Sequence, residues 1–418
     1  MSAKKILVIC NTFPPAPGIG GRRWAKFSKY LTQKGYIVHV ACATNLSGKV
    51  SEWNPDVASN PNIHLHQYDF NLRKLLLLST GLFSRVLRKT VVKTLQRTKY
   101  SERFITSLPN ARVWKKIGDL IKAENIRTVI VSGDPFLFFY ASQLKQQMNF
   151  RLILDYRDLW TDHSFYVKYK WFSPSQYKFF HKAEELSLQR CDEVLTVDEH
   201  LRDVISRKLP GSSKQKIKVL HNGFDPQDFI TGTKSGSNRK KVIYFSGNLA
   251  TDLNEIVLHF IKIFARLKVD APEEYNKWEI HIKGKMDEAL YKKLASYHLE
   301  NLVLQNDFVS LTQYYQEIAA IDIGMVVLSS EYAHSYTTKF SDYLNLDKKM
   351  LVLGSPGRIS DLLTKSGNGM VFTTNDEQRF FKDLYKLADS TAHYSAELKR
   401  QFNVTNLTDQ LDQILAVA

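Results

Sequence analysis

The sequence has little cysteine and no long hydrophobic run. Its 418 residues include only Cys10, Cys42 and Cys191, which form neither a CxxC pair nor a metal-ligand spacing. This scarcity predicts buried free thiols in a reducing compartment instead of a disulfide framework. No stretch of about 18 apolar residues is present, so we expect no membrane-spanning helix. The first apolar stretch, residues 6–10, is too short for a signal peptide and predicts a strand.

Acidic residues are scarce in the first half of the chain. Residues 1–220 hold 36 Lys and Arg against 17 Asp and Glu, a net +19, whereas residues 221–418 hold 22 against 25, a net −3. All the excess positive charge of the chain, +16, therefore comes from one half. Such asymmetry indicates that this half faces an anionic partner: membrane lipid, nucleic acid or a phosphorylated substrate.

Short apolar runs alternate with helical patterns along both halves. The first half has predicted strands at residues 5–10, 36–43, 128–132, 151–155, 193–197 and 216–220, with helical spacing between them. After a small, polar and basic stretch at 230–241, the alternation resumes with strands at 242–246, 278–283, 302–304, 323–328 and 350–353. Repeated strand-then-helix units predict an α/β fold with two doubly wound, Rossmann-like domains, whose ligands bind at the carboxyl ends of the strands. Two such domains facing each other would form one cleft.

Residues 70–104 break this pattern because basic and apolar residues coincide there. The segment carries Arg85, Arg88, Lys89 and Lys93 among leucines and valines, and Glu102 is its only acid. This composition favours a basic amphipathic element on an anionic membrane surface. The alternative is a helix of the domain with a solvated basic face.

A glycine loop, Gly18-Ile-Gly-Gly21, separates the first strand from the first helix. Glycines there let backbone N–H groups approach a phosphate at the helix amino end, or simply allow a turn. The dinucleotide fingerprint is incomplete, because Arg23 stands where its last glycine would be and no acid ends the second strand.

Charged residues follow two further predicted strands. Asp155, Arg157 and Asp158 lie in Asp155-Tyr-Arg-Asp-Leu-Trp160, where carboxylates could act as acid or base or where Arg157 could pair to fix a loop. Lys339 and Asp342 lie in Thr337-Thr-Lys-Phe-Ser-Asp-Tyr343, at the start of a helix. Lys339 and the helix amides could hold a diphosphate and Asp342 a ribose, or the two could form a structural ion pair.

Together these segments resemble bacterial GT-B glycosyltransferases of family 4, of the kind that builds surface polysaccharide. The matching stretches are Phe13-Pro-Pro with Gly20, Gly21 and Arg22, Gly133-Asp-Pro-Phe136, residues 155–160, Val219-Leu-His-Asn-Gly-Phe-Asp225, Phe245-Ser-Gly-Asn248, and residues 339–343 before Lys348-Lys-Met-Leu351. They follow the family's order over nearly the whole chain.

The resemblance implies a retaining sugar transfer from a nucleotide-sugar to a glycan or lipid-linked acceptor. It implies that Gly20 and Gly21 approach the donor, that Thr338 and Lys339 hold its diphosphate, and that Asp342 binds its ribose. Asp158 would lie near the reacting sugar. From their place after a predicted strand, Asp155 and Arg157 are candidate catalytic residues together with Asp158. Asn248 replaces the family's arginine, so Lys283 and Lys285 are the candidates to supply the missing positive charge.

The resemblance also predicts the domain plan and the location. We expect an acceptor domain at 1–221, a hinge at 222–241, a nucleotide-sugar domain at 242–395, and a C-terminal helix at 396–418 that returns to the first domain. We expect a cytoplasmic protein that is peripheral on the inner face of the plasma membrane. No convincing DxD motif is present, so neither a metal nor another cofactor is expected.

Two alternatives remain open from the sequence. A GT-B sugar-nucleotide epimerase would share the fold and the donor but need neither acceptor nor membrane. A non-catalytic nucleic-acid-binding protein would explain the basic half. However, the basic residues lie among Leu and Val instead of stacking aromatics, so no nucleic-acid partner is expected.

Overall fold

The chain forms two compact α/β units in the computed structural model. The structure describes residues 4–45, 47–70, 110–162, 173–229, 240–247, 249, 253–284, 288–298, 303–304, 309–372 and 377–417. The first unit comprises Met1–His221 with Thr408–Ala418, and the second comprises Asn222–Leu407. None of the described helices is long and apolar enough to cross a membrane.

The first unit is built on a parallel sheet that has seven strands within the described residues. Its order is β3-β2-β1-β4-β5-β6-β7. The strands are β1 (Lys4–Cys10), β2 (Tyr36–Ala43), β3 (Ile63–Tyr68), β4 (Thr128–Ser132), β5 (Arg151–Tyr156), β6 (Glu193–Thr196) and β7 (Ile217–Val219). The helices are α1 (Arg22–Gln33), α2 (Ala111–Ala123), α3 (Pro135–Lys145), α4 (Pro174–Arg190) and α5 (Glu199–Ser206).

The central strands of this sheet are apolar because helices cover both of their faces. Every residue of β4 is buried, and β1 is buried from Ile6 to its end. The edge strand β3 differs, since none of its residues is buried and Leu65 is 40% exposed. All three cysteines lie buried as free thiols, as the sequence predicts.

The second unit is built on a parallel sheet of six strands within the described residues. Its order is β10-β9-β8-β11-β12-β13. The strands are β8 (Lys241–Ser246), β9 (Trp278–Lys283), β10 (Val303–Leu304), β11 (Ile323–Leu328), β12 (Lys349–Gly354) and β13 (Gly369–Phe372). The helices are α6 (Asn254–Asp270), α7 (Pro272–Tyr275), α8 (Glu288–Ser296), α9 (Leu311–Ala320), α10 (Thr338–Asn345), α11 (Arg358–Ser366), α12 (Glu377–Asp389), α13 (Ala396–Phe402) and α14 (Val404–Ala416).

The first part of the expected hinge is packed and belongs to the second unit. The Phe224 N–H donates to the carbonyl of Phe402 at 2.8 Å, and the Val404 N–H donates to the carbonyl of Phe224 at 2.9 Å. A Cβ added at Gly223 would lie only 2.3 Å from the Phe402 oxygen, so this close approach requires glycine. Residues 230–239 of the expected hinge lie outside the described residues.

From Thr408 onward, the last helix packs on the first unit. The Tyr36 hydroxyl donates to Asp412 at 2.7 Å, and Lys34 pairs with Asp409 at 2.6 Å. The Arg151 guanidinium donates to the carbonyls of Ile414 at 2.7 Å and Leu415 at 3.2 Å. Because the last carbonyls of a helix have no partner within it, Arg151 satisfies two of them.

One buried ion pair joins the strand ends of the first unit. The Arg23 guanidinium, from α1, donates to both oxygens of Asp155 in β5 at 3.0 and 3.1 Å. Arg23 also donates to the carbonyls of Leu220 at 3.0 Å and His221 at 2.8 Å, just after β7. Asp155 accepts further bonds from Trp24 at 2.9 Å and Ser132, the last residue of β4, at 2.7 Å. The pair is fully enclosed, with side-chain exposures of 3% and 0%.

Histidine imidazoles stack on the sheet face at the edge of the first unit. His39 on β2 stacks on His64 and His66 of β3 at ring distances of 4.9 and 5.5 Å, and its Nδ1 lies 3.2 Å from Nε2 of His66. The Glu124 carboxylate lies 3.8 Å from Nε2 of His39 and is itself held by Lys5. Burial, followed by the charge of His64, lowers the pKa of His39 from 6.5 to about 4.

We expect Asp155→Asn to destabilise the first unit by about 3 kcal/mol, because it leaves the Arg23 charge buried without a counterion. Calorimetric unfolding measures this loss, and Asp119→Asn, at an exposed position of α2, is the matched control. The double variant Arg23→Met/Asp155→Leu should recover part of the loss, since no charge then remains buried. An Asp155→Asn protein as stable as the control would contradict this account.

We expect the first unit to lose stability between pH 6.5 and about 4 through His39. Its folded pKa is below its unfolded pKa, so the unfolded chain binds the proton first and gains stability as the pH falls. The free energy of unfolding should drop by about 1–2 kcal/mol from pH 7 to pH 5. His39→Gln should flatten that drop, whereas His181→Gln, at an exposed position of α4, should not. Equal drops in both variants would refute the assignment.

Candidate functional site

In the second unit, three strands end in glycines whose backbone conformation disfavours side chains. Gly247 follows β8 with φ +145°, Gly284 follows β9 with φ +129°, and Gly354 ends β12 with φ +136°. A Cβ at Gly284 would lie 2.0 Å from the Gly247 oxygen. These glycines therefore let the backbones after β8 and β9 approach each other closely at the carboxyl edge of the sheet, the edge where ligands of such sheets bind.

Helix α10 brings Lys339 to the same edge. Thr337 caps the helix, its hydroxyl accepting from the Phe340 N–H at 3.1 Å. The half-buried Lys339 ammonium lies 5.2 Å from the centre of the Phe245 ring, and a Cβ at Gly247 would lie 2.6 Å from its Nζ. Thr338 and Lys339, both predicted to bind the donor, are thus the first two residues of α10, after β11 and beside the end of β8.

The Lys339 ammonium makes no hydrogen bond to any residue that the structure describes. Burial lowers its pKa, and the nearby negative charge of Asp342 partly opposes that effect. An amine that is partly desolvated but lacks an acceptor is poorly satisfied in the protein alone. The arrangement provides a positive charge beside the amino end of a helix, which is suited to a phosphate.

Asp342 is predicted to bind the ribose of the donor, and the structure shows that its side chain is buried. Its residue is 2% exposed, and the Tyr314 hydroxyl from α9 donates to its Oδ2 at 3.3 Å. The carboxylate therefore lies between α10 and α9, one turn from Lys339. Its negative charge raises the pKa of that lysine.

Lys283 is already paired within the second unit. Its ammonium binds Glu317 of α9, and the Tyr244 hydroxyl donates to the other Glu317 oxygen at 2.7 Å. Burial would raise the pKa of Glu317, but the bonds from Lys283 and Tyr244 outweigh it and lower that pKa. The positive charge of Lys283 is therefore already neutralised by Glu317. Asn248 and Lys285, also predicted at the donor site, lie outside the described residues.

In the first unit, the loop after β5 is held at both ends. At one end, Asp155 bonds to Arg23. At the other end, the buried Glu184 of α4 accepts from the Thr161 hydroxyl and from the Lys208 ammonium, the latter at 2.6 Å. Trp160 is 1% exposed and packs in the core. These anchors fix the backbone on both sides of Asp158.

Asp158 is the exposed carboxylate of this loop. It makes no hydrogen bond or ion pair to the described part of the chain. Arg157 beside it is half-buried, and its Nη1 donates to the Gly20 carbonyl at 2.7 Å. A Cβ at Gly21 would lie 3.3 Å from Pro14, so the glycine loop packs closely on the residues after β1.

The structure separates the predicted catalytic residues into different environments. Asp155 is fully buried and accepts from Arg23, Trp24 and Ser132, so the prediction that it contacts substrate needs revision: it is a structural anchor. Arg157 joins the end of β5 to the glycine loop, and Asp158 alone of the three is exposed. The predicted membrane residues Arg85, Arg88, Lys89 and Lys93 lie outside the described residues.

Sequence reasoning missed the residues that position the site. Arg23 was considered only as an exception to a glycine fingerprint, and Glu184 and Glu317 were not singled out. No local pattern could have revealed Glu184, since its partners lie 23 and 24 residues away.

Sequence comparison adds no assignment. No family model matches the chain, and no curated protein matches it.

Solved structures match the chain over nearly its whole length. Sucrose-phosphate synthase from Thermosynechococcus elongatus has a TM-score of 0.63 and 12% identity, covering 99% of this chain and 98% of that one. The lipopolysaccharide outer core galactosyltransferase WaaB has a TM-score of 0.60 and 14% identity, covering 99% of each chain. UDP-GlcNAc 2-epimerase from Methanocaldococcus jannaschii has a TM-score of 0.58 and 9% identity, covering 99% and 100%. The predicted α/β class is confirmed, and the chain has the GT-B fold of these enzymes.

Proposed function

We propose that the protein is a glycosyltransferase that moves a sugar from a nucleotide-diphosphate-sugar to a glycan or lipid-linked acceptor. The observation that carries this proposal is the position of the Lys339 ammonium, which lies beside Gly247 at the amino end of α10. No residue that the structure describes accepts a hydrogen bond from this ammonium. A diphosphate would supply the acceptor oxygens that this ammonium lacks. The likeness to sucrose-phosphate synthase and WaaB supports the fold that such an enzyme needs.

The leaving group explains why such a site would accelerate transfer. Breaking the bond between the sugar and the diphosphate builds negative charge on the leaving phosphate oxygen. Lys339 and the amides at the start of α10 are fixed positive groups that would stabilise this charge. Since they supply that charge without an ion, we propose metal-independent transfer.

We infer a role for Asp342 that acts through Lys339, in addition to the predicted contact with the ribose. Its negative charge raises the pKa of Lys339 and so keeps the ammonium protonated against the effect of burial. We propose that Asp342 acts on the donor through Lys339. Lys283, neutralised by Glu317, would contribute less to the binding of the diphosphate.

The first unit would bind the acceptor. Asp158 is an exposed carboxylate on a loop anchored at Asp155 and Thr161, so its position is fixed before substrate arrives. We propose that it orients an acceptor hydroxyl or the reacting sugar, with Gly20 and Gly21 close to the donor. We also propose that the transfer retains the anomeric configuration and that the enzyme acts in the synthesis of surface polysaccharide. We propose that it lies on the inner face of the plasma membrane.

An epimerase is the second candidate, because the epimerase from Methanocaldococcus jannaschii shares the fold at similar likeness. An epimerase converts the nucleotide-sugar without an acceptor, whereas a transferase needs one. Incubation with the nucleotide-sugar alone therefore separates the two activities. If a new epimer of the intact donor forms, the protein is an epimerase and the proposed function is wrong.

We expect Lys339→Met to abolish the thermal shift that nucleoside diphosphates and nucleotide-sugars give the wild type, and to lower kcat/KM by about 10²–10³-fold. The stability of the unliganded variant should not fall, because the substitution removes a partly desolvated charge.

Lys262→Met makes the same change at an exposed position of α6 and should leave the shift intact. If Lys339→Met still binds nucleotides, Lys339 is not the diphosphate ligand and the main observation behind the proposed function is lost.

We expect Asp158→Asn to lower kcat at least about tenfold while the thermal shift induced by a nucleoside diphosphate stays at the wild-type value, since that ligand lacks the sugar that Asp158 is proposed to orient. The midpoint of unfolding should hardly change, because the side chain is exposed and makes no bond within the described residues. Asp119→Asn on α2 serves as the control with unchanged rate. Wild-type kcat in Asp158→Asn would exclude it from the reaction.

A further inference from the structure

Two lysines lie beside Gly247 at the carboxyl edge of the second sheet. The Lys339 ammonium would lie 2.6 Å from a Cβ at Gly247. Lys283 is the last residue of β9, and its carbonyl accepts from the Gly247 N–H at 2.8 Å. Among the residues that the structure describes, only the Lys283 ammonium is bonded to a carboxylate, that of Glu317. The two lysines are therefore neighbours whose charges are met differently.

The carboxylate that neutralises Lys283 is held in place by several donors. Glu317 lies on α9, and its Oε1 accepts from the Lys283 ammonium and from the Gln313 amide, the latter at 3.2 Å. Its Oε2 accepts from the Tyr244 hydroxyl at 2.7 Å. A fixed carboxylate thus binds the Lys283 ammonium before any ligand arrives.

This ion pair is partly open to solvent. The side chains of Lys283 and Glu317 are 18% and 21% exposed. Lysine carries its ammonium on a flexible stem, so Lys283 could turn towards an anion beside Gly247 if Glu317 did not hold it. Glu317 and such an anion therefore compete for the same positive charge.

We propose that Glu317 is a specificity-determining residue of the donor site, because it withholds the charge of Lys283 from the diphosphate. Beside Gly247, the described residues then present one uncommitted ammonium, that of Lys339. Loss of the negative charge at position 317 would release a second ammonium to the same edge. Diphosphates would then bind more tightly, since the Coulomb attraction grows with the number of charges that meet them.

This inference rests on the proposed function, in which the nucleoside diphosphate is a product that must leave. An interaction that is equally strong with donor, transition state and product tightens binding without raising kcat. Release of the product limits the turnover of many enzymes. Glu317 would therefore keep the affinity for the departing diphosphate low enough for release, while Lys339 remains to stabilise the charge that develops on it.

The experiment measures by calorimetry how the full-length protein binds inorganic pyrophosphate and the diphosphates of uridine, guanosine and adenosine. Pyrophosphate has no nucleoside, so it tests the charge of the site independently of the base. We expect Glu317→Gln to bind pyrophosphate, and any nucleoside diphosphate that binds the wild type, about tenfold more tightly, because Lys283 gains a charged acceptor. The introduced amide can still accept from the Tyr244 hydroxyl, and a purely structural role of Glu317 would not produce tighter binding.

A second substitution shows whether the gain passes through Lys283. The gain should disappear in the double variant Glu317→Gln/Lys283→Met. Lys283→Met alone should weaken binding far less than Lys339→Met does, because Glu317 already neutralises Lys283. The matched control is Glu273→Gln, at an exposed position of α7 that precedes β9 and so lies at the opposite edge of the sheet. Its affinity should equal that of the wild type, and the gain in Glu317→Gln should shrink as salt rises.

Several results would overturn the inference. One is an affinity of Glu317→Gln that is equal to or below that of the wild type, and another is a gain that persists in the double variant. If Lys283→Met weakens binding as much as Lys339→Met does, Lys283 already binds the ligand and the inference is wrong, even if Glu317→Gln does not fold.

Lys339→Met distinguishes this failure from that of the proposed function. Binding that survives in Lys339→Met removes the proposed donor site, whatever Glu317→Gln does. If binding is lost in Lys339→Met but Glu317→Gln shows no gain, the proposed function stands and the role of Glu317 is wrong.

Discussion

The ion pair between Arg23 and Asp155 organises the first unit. It joins α1, β4, β5 and the residues after β7 at the edge where ligands of such sheets bind. Because the pair is buried, its net contribution to stability is modest, but removing either partner is costly. The pair thus fixes the positions of strand ends more than it adds free energy. The glycine loop precedes Arg23 and Asp158 follows Asp155, so both are close in sequence to this fixed ion pair.

The second unit shows how surroundings assign different roles to similar residues. Lys283 and Lys339 both lie near strand ends, but Glu317 neutralises the first and no described residue accepts a bond from the second. Burial lowers the pKa of Lys339, whereas Asp342 preserves its charge. This difference is why the proposed diphosphate site is placed at Lys339 and not at Lys283.

The sequence predicted the fold well where strands are buried on both faces. The apolar runs of β2, β4 and β11 were predicted at their observed bounds, since a continuous run is the signature of such strands, and the alternating strand β9 was also predicted at its bounds. The strands β3 and β13 were not predicted: β3 is an edge strand with histidines, and β13 has four residues. Lys339 was predicted from its place at the start of a helix, but the burial of Asp155 and Asp342 depends on contacts distant in sequence.

The position of Thr408–Ala418 has a consequence for how the chain is made. These residues belong to the first unit, although the whole second unit precedes them in sequence. During synthesis, Tyr36 and Arg151 emerge from the ribosome long before their partners in α14 exist. The first unit therefore cannot complete its packing as an independent N-terminal domain. Its final contacts form only after the second unit has been translated. The first unit therefore completes its folding only after the second unit has been synthesised.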